Sequence, residues 1–256
     1  MLGLLSAPSA ALAGAWTLPQ GTGEWLAGVT AATSTSYFNG SGLSSIPRYN
    51  KFEAEAYIEY GITDNLTGIL NPGLQSIDIA PPYSASRSGL GYTEFGARYG
   101  FLQTPDWVVS GQATLRVPGT TNTSNPAAIG YTDVEADLRA LIGHNFYVSG
   151  MPAFFDLEVA QRERSVGYPS EFRADATIGV KVLPRWLLLA QSFNVISEGA
   201  ANTLYDGGSY EYYKLQLSAI YSLAPTWEVQ GGGYTTYAGR NALQENGLIL
   251  GVWHQF

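Results

Sequence analysis

The sequence offers few residues for acid–base chemistry, because its only histidines are His144 and His254. Hydrolysis at a membrane surface requires a serine or water nucleophile, a histidine base and an orienting polar group. His144 lies in a predicted turn, and His254 lies on the apolar face of the C-terminal segment. Both positions are expected at the same end of the fold, so neither histidine could serve a site at the other end. We therefore predict that the protein is not an enzyme and has no catalytic residues.

A row of carboxylates at every second residue, Asp133, Glu135 and Asp137, is the next candidate for chemistry. Carboxylates sharing one face of a strand could bind Ca²⁺. Arginines on the two following predicted strands, such as Arg162 and Arg173, favour a ladder of ion pairs instead. The absence of cysteine excludes disulfides and thiolate ligands. We expect no metal site and no cofactor.

The composition narrows the class of protein. Only 13% of the residues are charged, the formal net charge is −8, and the chain contains 30 glycines, 17 tyrosines and 6 tryptophans. An acidic chain is a poor partner for a polyanion, so nucleic-acid binding is not expected. No window contains the roughly 18 consecutive apolar residues of a transmembrane helix. Nothing resembles a linker, which predicts a single domain.

The N-terminal residues 1–13, "MLGLLSAPSAALA", form a short apolar run that ends in Ala11-Leu12-Ala13. This small-x-small pattern is typical of a signal-peptidase site. A basic n-region is missing, since the first basic residue is Arg48. We interpret residues 1–13 as a truncated signal peptide cleaved after Ala13, followed by one domain at 14–256. An apolar N-terminal arm is the alternative. Export without cysteine fits the envelope of a Gram-negative bacterium.

Apolar and polar residues alternate in segments of about ten residues along nearly the whole chain. The predicted strands are 24–36, 51–61, 66–78, 91–101, 107–117, 132–143, 153–164, 172–183, 186–198, 210–222, 227–238 and 246–256. One set of connections is short, with 144–152 as its longest member, and the other set is mostly longer. This alternation predicts an all-β fold: a transmembrane antiparallel β-barrel of about twelve strands in the bacterial outer membrane, with short periplasmic turns and longer extracellular loops.

The last strand and the aromatic residues support a membrane location. Leu248, Leu250, Val252 and Phe256 share one face of the C-terminal strand, where lipid would surround them. A terminal Phe after alternating apolar residues resembles the signal read by the barrel-assembly machinery. All six tryptophans are predicted near the periplasmic rim and many tyrosines near the longer loops, as in two aromatic girdles. Outer-membrane lipids and the assembly machinery are the expected partners.

The other face of each strand carries charge of both signs, which predicts a polar interior. If the hairpin around 165–171 is symmetric, Arg162 lies opposite Asp175 and Asp156 lies opposite Lys181, both attractive pairs. The candidate residues of the lumen and its constriction are Glu53, Glu55, Glu94, Arg98, Arg116, Asp137, Arg139, Asp156, Glu158, Arg162, Asp175 and Lys181.

Two segments carry a family resemblance: "YGITDNLTGIL" (60–70) and "SGLGYTEFGARYGF" (88–101). They resemble the outer-membrane barrel family of transporters assigned to the meta-pathway of phenol degradation. That family typically has a Tyr-Gly-x-Thr-Asp turn, matched here from Tyr60 to Asp64, and a glycine-rich strand, matched here from Gly89 to Tyr99. Tyr92 replaces an Asp of the family pattern and Arg98 replaces a Lys. The resemblance implies a barrel and the transport of small molecules.

Two functions remain open on the sequence alone. A lumen lined with charge of both signs is typical of selective pores and predicts passive passage of small solutes, with aromatic or otherwise hydrophobic ones as candidates. The same charges could instead close the interior, giving a barrel with a structural or scaffolding role. The sequence does not decide between an open and a closed lumen.

Overall fold

The computed structural model describes residues 14–120, 127, 134–164, 168–202 and 207–256, so the predicted signal peptide and Asp133 lie outside the described residues. Every regular element in these ranges is a strand: β1 (Gly23–Phe38), β2 (Leu43–Thr63), β3 (Leu66–Asn71), β4 (Gly73–Ile79), β5 (Ala85–Leu90), β6 (Tyr92–Gln103), β7 (Trp107–Pro118), β8 (Glu135–Val148), β9 (Met151–Arg164), β10 (Glu171–Leu183), β11 (Trp186–Ser197), β12 (Ala201–Asn202), β13 (Gly207–Gly208), β14 (Glu211–Ala224), β15 (Trp227–Arg240), β16 (Ala242–Leu243) and β17 (Asn246–Gln255). Within those ranges no helix has the length and apolar character needed to cross a membrane.

The strands form a closed antiparallel barrel, which confirms the predicted fold. Pro72 divides one wall strand into β3 and β4, and Gly91 divides the next into β5 and β6. The two-residue strands β12, β13 and β16 lie in connections, so twelve strands form the wall. The wall closes because β1 pairs with β2 on one side and with β17 on the other. Among the described strands, this closure leaves no open edge at the seam between β1 and β17, as a sheet in lipid requires.

The exposed face of the wall is apolar, and the interior is largely polar. The most exposed large apolar side chains project outward from the strands, among them Phe101, Leu138, Leu217, Leu248 and Leu250. Contact of so much apolar surface with water is unfavourable in free energy, whereas contact with lipid is not. The outward face turns polar near the longer loops, where Thr33 bonds to Asn50. The barrel therefore presents an apolar belt that fits a bilayer.

We call the end with the short turns 64–65, 104–106, 149–150, 184–185 and 225–226 the short-turn rim, and the opposite end the loop rim. The six tryptophans lie near the short-turn rim, as predicted, and four of them project outward there: Trp25, Trp107, Trp186 and Trp227. Trp16 and Trp253 instead face the interior. Tyr92 and Tyr210 lie near the longer loops, as predicted, but not in an outward girdle, because they contact Arg116 and Arg164 in the lumen. The Tyr92 ring packs against the Arg116 guanidinium, and Tyr210 Oη accepts a hydrogen bond from Arg164. Closeness to a loop in the sequence did not indicate these inward contacts.

The predicted turn at 144–152 is wrong, because β8 and β9 continue through it to a two-residue turn. Ser149 and Gly150 have φ values of 50° and 81°. Two consecutive positive φ values are typical of the tight turns that match the twist of a hairpin. His144 accordingly lies within β8, where its ring stacks on Trp107 with centroids 4.0 Å apart. It belongs to the outward aromatic girdle.

The predicted register between β9 and β10 is also wrong. Arg162 lies opposite Glu171 and Asp156 lies opposite Thr177. Glu171 had been assigned to the loop, but it begins β10 and supplies the carboxylate that faces Arg162. The change from Asp175 to Glu171 spans an even number of residues, so inward side chains stay inward. Asp175 faces Glu158 instead, and the repulsion between these two carboxylates is relieved by Arg139.

The apolar belt yields a stability prediction at Leu157. This outward side chain lies midway along the belt, paired with Ile142 and Ala176 on the neighbouring strands. Leu157→Arg is expected to cost about 2–4 kcal/mol of folding free energy in a bilayer. Glu163→Arg, on the same outward face near the loop rim, serves as the control and should cost about 0–1 kcal/mol. Urea unfolding in lipid vesicles measures both; equal costs would contradict the location of the belt.

Candidate functional site in the barrel interior

The chain before β1 enters the barrel instead of leaving it. Residues 14–22, here called the N-terminal segment, lie inside the short-turn rim. Ala15 is fully buried; its N–H donates to Asp156 Oδ1 at 2.8 Å, and its carbonyl oxygen accepts from Ser110 Oγ at 2.7 Å. The Trp16 ring packs edge-on against Phe154, with centroids 5.8 Å apart. The segment is thus fixed to β7 and β9.

The N-terminal segment then crosses the interior towards β3. The Leu18 N–H donates to Thr67 Oγ1 at 2.8 Å, and the Gln20 N–H donates to Asp64 Oδ1 at 3.0 Å. Two inward glycines make room for it. A Cβ at Gly143 would lie 2.5 Å from the Trp16 ring, and one at Gly61 would lie 2.1 Å from the Pro19 oxygen. The segment therefore occupies space at the short-turn rim that side chains would otherwise fill.

Sequence reasoning missed this segment because it has neither strand periodicity nor charge. The inward positions of Gly61 and Gly143 were the available signal, since an inward glycine often marks the close approach of another backbone or side chain.

A buried ion pair lies in contact with the N-terminal segment. Arg98 on β6 is 2% exposed and Glu59 on β2 is 0% exposed. The guanidinium meets both Glu59 oxygens, at 2.7 and 3.3 Å, and also donates to the Trp16 carbonyl oxygen at 2.9 Å. Tyr57 Oη donates to the same carboxylate at 2.7 Å. A two-point contact of this kind fixes the guanidinium plane, so Arg98 joins the wall to the segment.

Arg139 forms the centre of the charged interior. Its guanidinium contacts Glu158, lies 2.9 Å from Asp175 and lies 3.4 Å from Asp137. The contact with both Glu158 and Asp175 offsets the repulsion between these two facing carboxylates. Three predicted lumen acids on β8, β9 and β10 are thus brought together by one predicted base.

Towards the loop rim the same wall continues as a ladder of ion pairs. Arg162 Nη2 lies 3.0 Å from Asp137, and Arg116 bridges Glu94 at 3.2 Å and Glu135. Further pairs join Arg164 to Glu135 and Glu171 and join Arg173 to Glu171. The predicted ladder is present, although Asp133 lies outside the described residues.

The opposite wall carries a smaller cluster of charges. Lys51 lies 3.1 Å from Glu53 and 3.4 Å from Glu245, and Lys214 lies 2.6 Å from Glu245. Glu245 was predicted in a loop, yet its side chain points inward and forms ion pairs with both lysines. Both walls of the interior therefore carry charges of both signs.

Two predicted residues are placed apart from these networks. Lys181 lies near the short-turn rim opposite Leu187, and it makes no ion pair within the described ranges. Its predicted partner Asp156 instead accepts the Ala15 N–H. Glu55 faces inward beside Gly73 without a basic partner among the described side chains. The candidate list omitted several residues that form interior ion pairs, namely Lys51, Glu59, Glu135, Arg164, Glu171, Arg173, Lys214 and Glu245.

One part of the interior is apolar. Phe154, Leu187, Leu189, Ile220 and Trp253 form a buried cluster on β9, β11, β14 and β17, and Trp16 and Leu26 pack against it. The cluster lies near the short-turn rim, where the N-terminal segment covers part of it. An apolar surface within a charged barrel is a place where an apolar molecule could make contact.

Comparison with solved structures supports the fold. The chain is similar to the COG4313 outer membrane channel from Pseudomonas putida F1, with a TM-score of 0.77 and 16% identity over 94% of this chain and 98% of that chain. It is also similar to the NanC porin, with a TM-score of 0.57 and 8% identity over 89% of this chain and 98% of that chain. The translocator domain of the autotransporter NalP from Neisseria meningitidis gives a TM-score of 0.53 and 12% identity, over 91% and 88% of the two chains.

No family model and no curated protein sequence matches the chain. At these low identities the structural likeness concerns the course of the backbone. Together, the closed wall, the apolar belt and these similarities show that the chain has the twelve-stranded fold of outer-membrane β-barrels.

Proposed function

We propose that the protein is a channel of the outer membrane that lets small solutes pass, and that the N-terminal segment narrows its short-turn end. The observation that carries this proposal is the charged interior beside an N-terminal segment that belongs to no strand of the wall. The similar solved structures include a channel and a porin, which supports the proposal at the level of fold. The short-turn rim would then face the periplasm.

The apolar cluster supports a narrower statement about the solute. A molecule with an apolar or aromatic face could contact Phe154, Leu187 and Ile220 once Trp16 moves away. Its polar groups could meet the charged ladder above. This two-sided surface suits small aromatic or otherwise amphipathic molecules. The resemblance to transporters of the meta-pathway of phenol degradation points to the same solute class.

A closed barrel with a structural role is the second candidate function. The near-complete burial of Arg98 and Glu59 favours it, since a wide aqueous pore would expose such groups. A barrel of this kind would remain silent even with the N-terminal segment removed.

Single-channel recording in planar bilayers tests the proposal. The refolded protein should show discrete conductance steps whose size or ion selectivity changes in Arg98→Ala and Arg139→Ala. Heat-modifiable gel migration confirms that each variant is folded. Folded protein that stays silent, including after removal of residues 14–20, would favour the closed barrel.

Arg139→Ala is expected to shift the selectivity of the channel towards cations. The change leaves Glu158 and Asp175 facing each other without the guanidinium that contacts both. Excess negative charge at a narrow point favours cations over anions. Reversal potentials across a salt gradient measure the shift. Arg139→Lys, which keeps the positive charge at this position, is the control, and an equal shift in both variants would contradict a role for the charge.

The C-terminal strand fits the proposed route into the membrane. The Phe256 N–H donates to the Gly23 oxygen at 2.8 Å, so the terminal residue completes the seam between β17 and β1. Its side chain remains exposed on the outward side. We propose that the barrel-assembly machinery recognises this strand before the seam closes.

A further inference from the structure

Asp156 is a buried acid for which the charged networks provide no basic side chain. It is 2% exposed, on the inward face of β9 next to Glu158 on the same face. Among the described residues, Glu158 and Asp175 contact Arg139, whereas Asp156 makes no ion pair with a lysine or arginine. A buried carboxylate without a cation is costly, so a partner of another kind is expected.

Two groups lie against this carboxyl group: the Glu158 carboxyl, within hydrogen-bonding reach on the same face, and Gly14. A Cβ built on Gly14 would lie 2.8 Å from Asp156 Cγ, 2.9 Å from Oδ1 and 3.0 Å from Oδ2. The next N–H in the chain, that of Ala15, donates to Oδ1 at 2.8 Å. The Gly14 nitrogen is bonded to the Cα that carries this Cβ position, so it can lie no more than about 5.5 Å from either carboxylate oxygen.

Gly14 is also the residue that follows the predicted cleavage site after Ala13. Cleavage there converts the Gly14 nitrogen from a neutral amide into an α-ammonium group. We infer that processing creates the missing cation: the new α-ammonium group of Gly14 forms a buried ion pair with Asp156 and locks the N-terminal segment into the barrel. This inference rests on the predicted cleavage site and on the proposed channel. It explains what holds the N-terminal segment inside the barrel.

The geometry also accounts for the type of residue at position 14. A Cβ at this position would lie 2.8 Å from Asp156 Cγ, so a larger residue would have to push the carboxylate away. The ammonium group would replace the neutral peptide group with three donors beside two carboxylate oxygens. Charge-assisted hydrogen bonds of this kind are roughly twice as strong as neutral ones. Cleavage after Ala13 would thus produce the α-ammonium group that anchors the N-terminal segment.

The first experiment determines the terminus and its accessibility. Intact mass and N-terminal sequencing of the exported protein should give Gly14 as the first residue. An amine reagent used at neutral pH should then label the α-amine about tenfold or more slowly than in the unfolded chain, since a buried group reacts only after local opening. Asp156→Asn should restore fast labelling. Asp175→Asn, the same change at an acid paired with Arg139, should not.

A second measurement changes the charge without changing any side chain. A chain that begins at Gly14 is refolded with its α-amine either free or acetylated. Acetylation should lower the urea midpoint of unfolding in the wild-type chain and should have much less effect in Asp156→Asn, as in a double-mutant cycle. An equal loss in both backgrounds would overturn the ion pair.

These measurements do not depend on conductance, so the inference and the proposed channel can fail separately. A first residue other than Gly14, or rapid labelling of Gly14 in the folded wild type, would refute the inference and leave the channel untouched. A protected Gly14 in a barrel that never conducts would support the ion pair and contradict the channel.

Discussion

Gly143→Val is expected to raise the single-channel conductance several-fold by displacing the N-terminal segment. The valine side chain would project into the space now held by the Trp16 ring, which a Cβ alone would approach to 2.5 Å. Trp16 cannot retreat easily, because Phe154 packs against its ring and Ala15 is bonded on both sides. The short-turn end should therefore open without any change in charge. Planar bilayer recording measures the change.

Gly28→Val provides the matched control for this substitution. Gly28 also faces inward, but the nearest atom to its Cβ position is the Leu250 backbone oxygen at 3.5 Å, and the N-terminal segment does not contact it. Deletion of residues 14–20 should reproduce the effect of Gly143→Val. If the deletion and both valine variants conduct like the wild type, the N-terminal segment lies outside the path of ions.

Arg98→Leu is expected to destabilise the barrel by about 3–5 kcal/mol, because it leaves the fully buried Glu59 carboxylate without its cation. The same guanidinium holds the Trp16 carbonyl oxygen at 2.9 Å, so the variant should also release the N-terminal segment. Urea unfolding in vesicles measures the stability, and proteolysis near the N-terminus reports the release.

Two comparisons separate the ion pair from the general loss of an arginine. The double variant Glu59→Leu with Arg98→Leu should recover much of the stability, since replacing a buried pair by apolar groups is often neutral. Arg116→Leu removes a base that is more exposed, at 23%, and should cost less than Arg98→Leu. Equal losses in Arg98→Leu, Arg116→Leu and the double variant would mean that Glu59 is not a buried charge that needs Arg98.

The local pattern of the sequence determined the class of fold and the side of the wall on which most residues lie. Alternation in a strand such as β2 depends only on neighbouring residues, because successive side chains point to opposite faces whatever the strand pairs with. Lys51, Glu53 and Phe52 therefore lie on the predicted sides. The strand number and the charged character of the interior followed from the same local signal.

Register required the tertiary structure. Each side chain stays on the same face of the sheet when a strand slides by two or four residues. The sequence therefore allowed both Asp175 and Glu171 as partners of Arg162. The folded chain selects Glu171. Arg139 meanwhile satisfies Glu158 and Asp175 together, a three-strand contact that no single hairpin could indicate.

The contents of the barrel were also decided only in three dimensions. Ala15 and Asp156 are separated by 141 residues, and Arg98 and Glu59 by 39. The N-terminal segment has no alternation of its own and is positioned by hydrogen bonds to β3, β7 and β9. Strand periodicity is a local property that one sequence reveals, whereas the filling of a lumen depends on groups brought together by closure of the barrel.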